Sequence, residues 1–286
     1  MRISTQRRDE WALSELGVGS SYVPQMTQVG RVEVVRMGRG EPVVLVPGLA
    51  GGWRLLVPLA RRLAARHEVI LVGLEGDRGG VAPGAEDSPH DHATSIYGLM
   101  KRMGLERPTV FGVSFGGAIA LDLAARFPHT LGRLVLMGAE ARFRGGLGAT
   151  IARRVLERFA LPADNPFLNQ FFNLLHGYRP EPGPLSRFVV DRCWETDQGV
   201  MARRLHALEK FDVSSMLHAI DVPTLILAGT KDVIVPPARQ QSLSQAISGS
   251  TYSTLEGAGH IGFLTHRAEV GRKFSRWMRG SLALAS

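Results

Sequence analysis

Thr109-Val110-Phe111-Gly112-Val113-Ser114-Phe115-Gly116-Gly117-Ala118-Ile119-Ala120 carries a short apolar run into a serine and a small-residue run out of it. The first run suits a strand buried on both faces, and the stretch from 116 to 125 suits a helix. Such a sharp strand-to-helix turn holds Ser114 in strained backbone geometry with its Oγ exposed, while glycines at 112 and 116 let strand and helix pass closely. The hydroxyl then lies at a helix N-terminus, where free N–H groups and the dipole favour developing negative charge. The glycines do not follow G-x-G-x-x-G spacing and no Gly-Lys-Ser/Thr follows, so this is not a nucleotide phosphate loop.

A serine becomes a useful nucleophile only with a base to take its proton and an acid to orient that base. The candidate base is His260, in Gly257-Ala258-Gly259-His260-Ile261-Gly262, after a short strand pattern at 251–255 and before a helix with Val270, Phe274 and Trp277 on one face. The acid is assigned to Asp232, in Gly229-Thr230-Lys231-Asp232, directly after the apolar run 224–228. That choice preserves the chain order serine, acid, histidine expected on a sheet of this kind. Glu140, which follows the run 134–137, is the rival acid. The Phe115 N–H supplies one oxyanion donor. The second is expected at Leu49, in Pro47-Gly48-Leu49-Ala50-Gly51-Gly52-Trp53, where Gly48 lets the backbone approach the substrate.

Further apolar runs at 43–46, 69–72, 134–137 and 224–228 alternate with helical patterns at 55–65, 93–103 and 116–127, the last stopped by Pro128. This alternation predicts an α/β fold with a mostly parallel central sheet flanked by helices. Residues 21–29 and 31–37 read as an antiparallel hairpin joined near Gly30. The alternation breaks between 140 and 212, where amphipathic patterns at 151–159, 167–175 and 201–211 surround a proline-rich loop at 177–184. The expected organisation is a core of 21–140 and 213–280, an inserted helical cap of 141–212, and an N-terminal extension of 1–20. The cap lies over the strand ends, where open α/β sheets bind ligands. Phe167, Phe171, Phe172 and Leu175 then roof the pocket, and Gly48, Trp53 and Phe115 contact substrate from below.

At 286 residues, 44% hydrophobic, the chain is long enough to bury a sizeable core. Its one cysteine, Cys193, excludes an internal disulfide and reads as a small apolar side chain. Residues 1–10 have no apolar core, and no apolar stretch reaches the ~20 residues of a spanning helix. These features predict a cytoplasmic protein without stable membrane insertion. The net charge of +8 includes Arg142, Arg144, Arg153, Arg154 and Arg158, and a second group at Arg267, Arg272, Lys273, Arg276 and Arg279. No nucleic-acid motif accompanies it, so solvated helix faces are expected and no nucleic-acid partner. The expected assembly is a monomer or homodimer.

Together the loop at 47–53, the turn at Ser114, the acid loop at Asp232 and the Gly259-His260 pair resemble the α/β-hydrolase superfamily, in its cap-bearing, monomeric-esterase-like branch. The resemblance spans roughly residues 21–280 and implies oxyanion donor, nucleophile, acid and base at the matching positions. Two departures stand out. The family usually has His-Gly where this chain has Pro47-Gly48. After the next strand it usually has Asp-x-x-Gly-x-Gly-x-Ser, where this chain has Gly73-Leu74-Glu75-Gly76-Asp77-Arg78-Gly79-Gly80. A serine nucleophile separates the chain from the aspartate-based dehalogenase and epoxide-hydrolase branches. The expected activity is hydrolysis of a small or medium carboxylic ester, with a small-molecule acyl substrate and neither metal nor organic cofactor. Carbon–carbon bond hydrolysis or acyl transfer on the same triad is the enzymatic alternative, favoured if Arg142 or Arg179 dips into the pocket. A catalytically silent binding module is the third reading.

Overall fold

Eight strands form one sheet in the computed structural model, which describes residues 25–29, 32–77, 87–144, 146–159, 161–162, 165–180 and 183–283. They are β1 (Gln25–Val29), β2 (Val32–Met37), β3 (Pro42–Val46), β4 (Glu68–Val72), β5 (Thr109–Val113), β6 (Arg133–Met137), β7 (Thr224–Gly229) and β8 (Thr251–Leu255). Their order is β1-β2-β4-β3-β5-β6-β7-β8. The hairpin β1–β2 and the pair β2–β4 are antiparallel, and the other pairs are parallel. The expected extension 1–20, the start of the hairpin at 21–24, and Arg78 to Gly80 lie outside the described residues.

The apolar runs are continuous because both faces of the sheet are covered. Val43, Leu45 and Phe111 face Leu59 and Leu63 of α1 (Val57–Leu63) and Phe274 of the C-terminal helix (Arg267–Ala283). The alternate residues Val44, Val46 and Val110 face Ile96 of α2 (Pro89–Arg102) and Ile119 and Leu123 of α3 (Phe115–Arg126). Helix α2 begins at a capping box between Ser88 and Asp91.

The helical pattern at 55–65 enters through a 3₁₀ turn, Trp53–Leu56, before α1 begins. Pro58 has no N–H and therefore belongs in a first turn, which sets the start of α1 there. Between β6 and β7 the chain forms α4 (Gly146–Arg158), α5 (Pro166–Leu174), α6 (Pro184–Cys193) and α7 (Gln198–Lys210). Helix α6 has no counterpart in the sequence reading. Arg187, Asp191 and Arg192 interrupt its apolar period, yet Arg192 is buried beside Phe188, Val189 and Cys193. A 3₁₀ helix (Ser214–Ala219) and helices α8 (Pro237–Ala246), α9 (Gly262–Thr265) and α10 (Arg267–Ala283) follow among the described residues. Among the described residues no helix is long and apolar enough to cross a membrane.

The topology positions the site. From β3 the chain steps outward to β4, then returns to the other side of β3 to form β5. The connections leaving β3 and β5 diverge, and the loop after β3 lies beside the turn after β5. This switch point is where an open parallel sheet leaves a crevice at its strand ends.

Candidate active site

Ser114 lies between β5 and α3 with φ 54°, a left-handed conformation rare for a residue with a Cβ. Its N–H donates to Met137 O at 2.9 Å, which anchors the turn to the neighbouring strand β6. The turn closes only with glycine on either side. A Cβ at Gly112 would lie 2.3 Å from Gly116 O, and one at Gly116 would lie 2.3 Å from Val46 O. The motif spacing thus reflects backbone contact between β3, β5 and α3.

The Ser114 hydroxyl lies 2.8 Å from His260 Nε2. On the other side of the ring, Nδ1 lies 2.9 Å from Asp232 Oδ2 and 3.1 Å from Oδ1. Residues 146 and 28 positions apart are joined here by the C-terminal ends of β5, β7 and β8. The carboxylate is fixed in turn: Oδ1 accepts the N–H groups of Ile234 and Val235, each at 2.9 Å. Gln240 of α8 donates to Oδ2 and to Val235 O, and its Oε1 accepts the Gly138 N–H. Gln240 is fully buried and was not visible as a site residue in the sequence. Glu140 is not part of this chain of contacts. Its Oε1 accepts from the Arg144 N–H at 3.2 Å and Arg239 Nη1 at 3.5 Å.

Leu49, in the loop after β3, and Phe115, at the start of α3, lie on either side of Ser114. Their N–H groups donate to no described residue. A Cβ on Gly48 would sit 3.5 Å from Ser114 Cβ, so the loop runs directly beside Ser114. Arg204 of α7 reaches this loop. It is fully buried, and its Nη1 donates to Leu49 O at 2.9 Å and to Asp77 Oδ1 at 2.8 Å. Only tertiary structure discloses that role, because nothing in the Arg203-Arg204 pair distinguishes the buried arginine from the exposed one.

Above Ser114 lies a cavity of about 640 Å³. Gly48, Leu49, Leu55 and Ile261 line it from the core, and Phe171, Phe172, Leu175, Met201 and Leu205 from the helices between β6 and β7. Gly48, Phe171 and Leu175, expected to contact substrate, all line this cavity. Trp53 does not. Its ring is buried away from the cavity, with Nε1 donating to Glu33 Oε2 at 3.0 Å and the Arg54 guanidinium stacked 4.2 Å from its centroid. The Phe115 side chain also turns away, into an edge contact with His92. Of Phe167 only the helical backbone is described. Ile151, Leu174 and Val233 line the cavity yet are 46%, 53% and 57% exposed, which marks its apolar mouth. Cys193 also lines the wall, but burial pushes its thiol up to about 12, which leaves it a protonated apolar group at neutral pH.

His176 lies where the segment after α5 meets the loop that carries His260. The preceding carbonyl, Leu175 O, accepts the Ile261 N–H at 3.1 Å. The His176 ring is buried, neither nitrogen has a partner among the described residues, and burial lowers its pKa. A depressed imidazole leaves the fold fully stable above the ordinary value of about 6.5 and costs stability as pH falls through it, because only the unfolded chain takes up the proton. The melting temperature is expected to drop between pH 7 and pH 5. His176→Phe should flatten that drop in thermal melts, leaving the part due to His67, whose pKa burial also lowers. An unchanged slope in His176→Phe would contradict this assignment.

Residues 41–267 match the family described as the alpha/beta hydrolase fold. The chain belongs to that family. This α/β hydrolase is 30% identical over 271 residues to the polyketide synthase ThaQ of Burkholderia thailandensis, a match that covers 89% of this chain but 13% of ThaQ. It is 29% identical over 248 residues to the pimeloyl-(acyl-carrier protein) methyl ester esterase of Neisseria meningitidis, covering 84% of this chain and 93% of that one. Among solved structures, a thermophilic esterase from Thermogutta terrifontis is similar with a TM-score of 0.76 at 25% identity, covering 91% of this α/β hydrolase and 98% of the esterase.

Proposed function

We propose that this α/β hydrolase cleaves an uncharged carboxylic ester of small or medium size through an acyl-enzyme on Ser114. The observation that carries the reading is the 2.8 Å contact between Ser114 Oγ and His260 Nε2 at the floor of an apolar cavity. His260 takes the hydroxyl proton as Oγ attacks the ester carbonyl. Asp232 orients the imidazole and stabilises its charged form as the proton arrives. The carbonyl oxygen becomes an oxyanion that accepts the N–H groups of Leu49 and Phe115, next to the N-terminus of α3. Collapse of the tetrahedral intermediate expels the alcohol, which takes its proton from His260. Water, deprotonated by the same imidazole, then releases the acid. A methyl ester esterase among the relatives supports ester chemistry.

The carbon–carbon alternative asks for a cationic side chain to hold an anionic substrate. No described cavity-lining residue is charged. Arg142 pairs with Asp212 at the surface and Arg179 is exposed. Burying a carboxylate against such walls without a partner is costly, so a neutral ester is favoured.

The test is a panel of p-nitrophenyl esters of graded acyl length beside a monoester carrying a free carboxylate. Neutral esters are expected to turn over with the higher kcat/KM. Preference for the anionic ester, or cleavage of a diketone acid without ester turnover, would overturn the reading. Within that panel, Phe171→Ala and Leu175→Ala should shift the preferred chain length, by about 1–3 kcal/mol per lost methylene-sized contact. If they alter stability but never the ranking of esters, the cap helices do not set specificity.

A further inference from the structure

The loop from Pro47 to Trp53 contains three glycines, and two of them, Gly51 and Gly52, adopt φ of 82° and 52°. Such a segment has little stiffness of its own. Yet an oxyanion donor must be held in place before the charge develops. The holding contacts come from the far side of the molecule's crevice. Arg204 of α7 donates to Leu49 O, and Thr196 Oγ1, just before α7, accepts the Gly51 N–H at 3.0 Å. Both side chains are buried.

The Arg204 guanidinium is also braced from the core. Asp77 Oδ1 accepts from Nη1, and Glu75 O accepts from Nη2 at 3.0 Å. Asp77 Oδ2 meanwhile accepts the Leu74 N–H at 2.9 Å and lies against Gly52. The same guanidinium sits 5.6 Å from the centroid of the Phe115 ring. One buried cation therefore touches both residues whose N–H groups flank the nucleophile. Burying a charged arginine is expensive, and an apolar side chain of similar volume is the cheaper way to fill the space.

We propose that Arg204, assisted by Thr196, is a positioning residue for the oxyanion loop, so that the cap sets the rate of the chemistry and not only the choice of ester. This rests on the ester reading above. It also assigns a role to the departure noted at Gly73 to Gly80, since Arg204 ties Glu75 and Asp77 of that segment to Leu49.

The experiment measures kcat and KM on a short neutral ester for wild type, Arg204→Lys, Thr196→Val, Thr196→Ser and the double variant Arg204→Met/Asp77→Asn. The double variant removes the buried charge from both partners, which protects folding, but leaves Leu49 O unheld. Thermal midpoints and the downfield proton resonance of His260 Nδ1–H report the fold and the His260–Asp232 contact. The arginine variants are expected to lose about 10–100-fold in kcat with KM within about two-fold, at an unchanged His260 resonance. Thr196→Val should lose less, about five-fold, and Thr196→Ser should restore it. Wild-type kcat in the folded double variant, or a loss confined to KM, would overturn the proposal. If no arginine variant folds, equal kcat for Thr196→Val and wild type overturns it. If wild type turns over no ester, the ester reading has failed separately. The rate of Ser114 labelling by a fluorophosphonate, whose phosphoryl oxygen enters the same hole, then replaces kcat.

Discussion

Ser114→Ala is expected to lose at least about three orders of magnitude in ester turnover while keeping its thermal midpoint. The size follows from what the hydroxyl does and the stability from where it sits. Oγ lies 2.8 Å from His260 Nε2 and lines the cavity, where it would meet both the base and the substrate carbon. It caps no backbone group of α3 and lines the cavity, so its removal breaks no helix cap and opens no new void inside the core. The backbone strain at φ 54° is carried equally by alanine. The check is steady-state kinetics on the best ester beside a thermal melt. Turnover within ten-fold of wild type would show that the nucleophile lies elsewhere.

A second large loss is expected at Asp232→Asn, about 10⁴-fold in kcat. An asparagine presents an N–H where His260 Nδ1 needs an acceptor, which favours the tautomer that cannot take the serine proton. Glu140→Gln is the matched control, and kcat should stay within about two-fold because Glu140 makes no contact with His260. Its effect should fall on stability. Burial pushes the Glu140 carboxyl upward, against smaller opposing contributions from Arg144 and Arg239. A raised carboxyl is fully compatible with the fold below the ordinary carboxylate range and loses stability as pH rises through its folded-state value. Glutamine avoids that loss and should melt at a higher temperature than wild type at pH 7. The reverse kinetic ranking would transfer the acid role to Glu140.

These contrasts show which parts of the molecule a sequence can disclose. The turn at Ser114 was legible because its requirements are local: backbone contact demands glycine at 112 and 116, and burial on two faces demands unbroken apolar runs. The same holds for His260 and Asp232, which sit where strands end and turn residues begin. Helix α6 was not legible, because its buried Arg192 counts as polar in any periodicity. Trp53 follows an apolar loop, as a substrate contact would, yet its N–H finds Glu33 on β2 and draws the ring into the core. Arg204 and Gln240 were hidden for the opposite reason. Each is a polar side chain whose meaning depends on partners 155 and 102 residues away that only the assembled sheet and the helices between β6 and β7 bring together.

The central claim, a covalent acyl group carried on Ser114, is tested most directly by rapid-quench mass spectrometry. The enzyme is mixed with a p-nitrophenyl ester, stopped in acid within the first turnover, digested and mapped. A mass increase equal to the acyl group is expected on the peptide containing Ser114, and it should be absent in Ser114→Ala. An adduct on the Cys193 peptide instead, or full turnover with no acylated peptide at any time, would contradict the account.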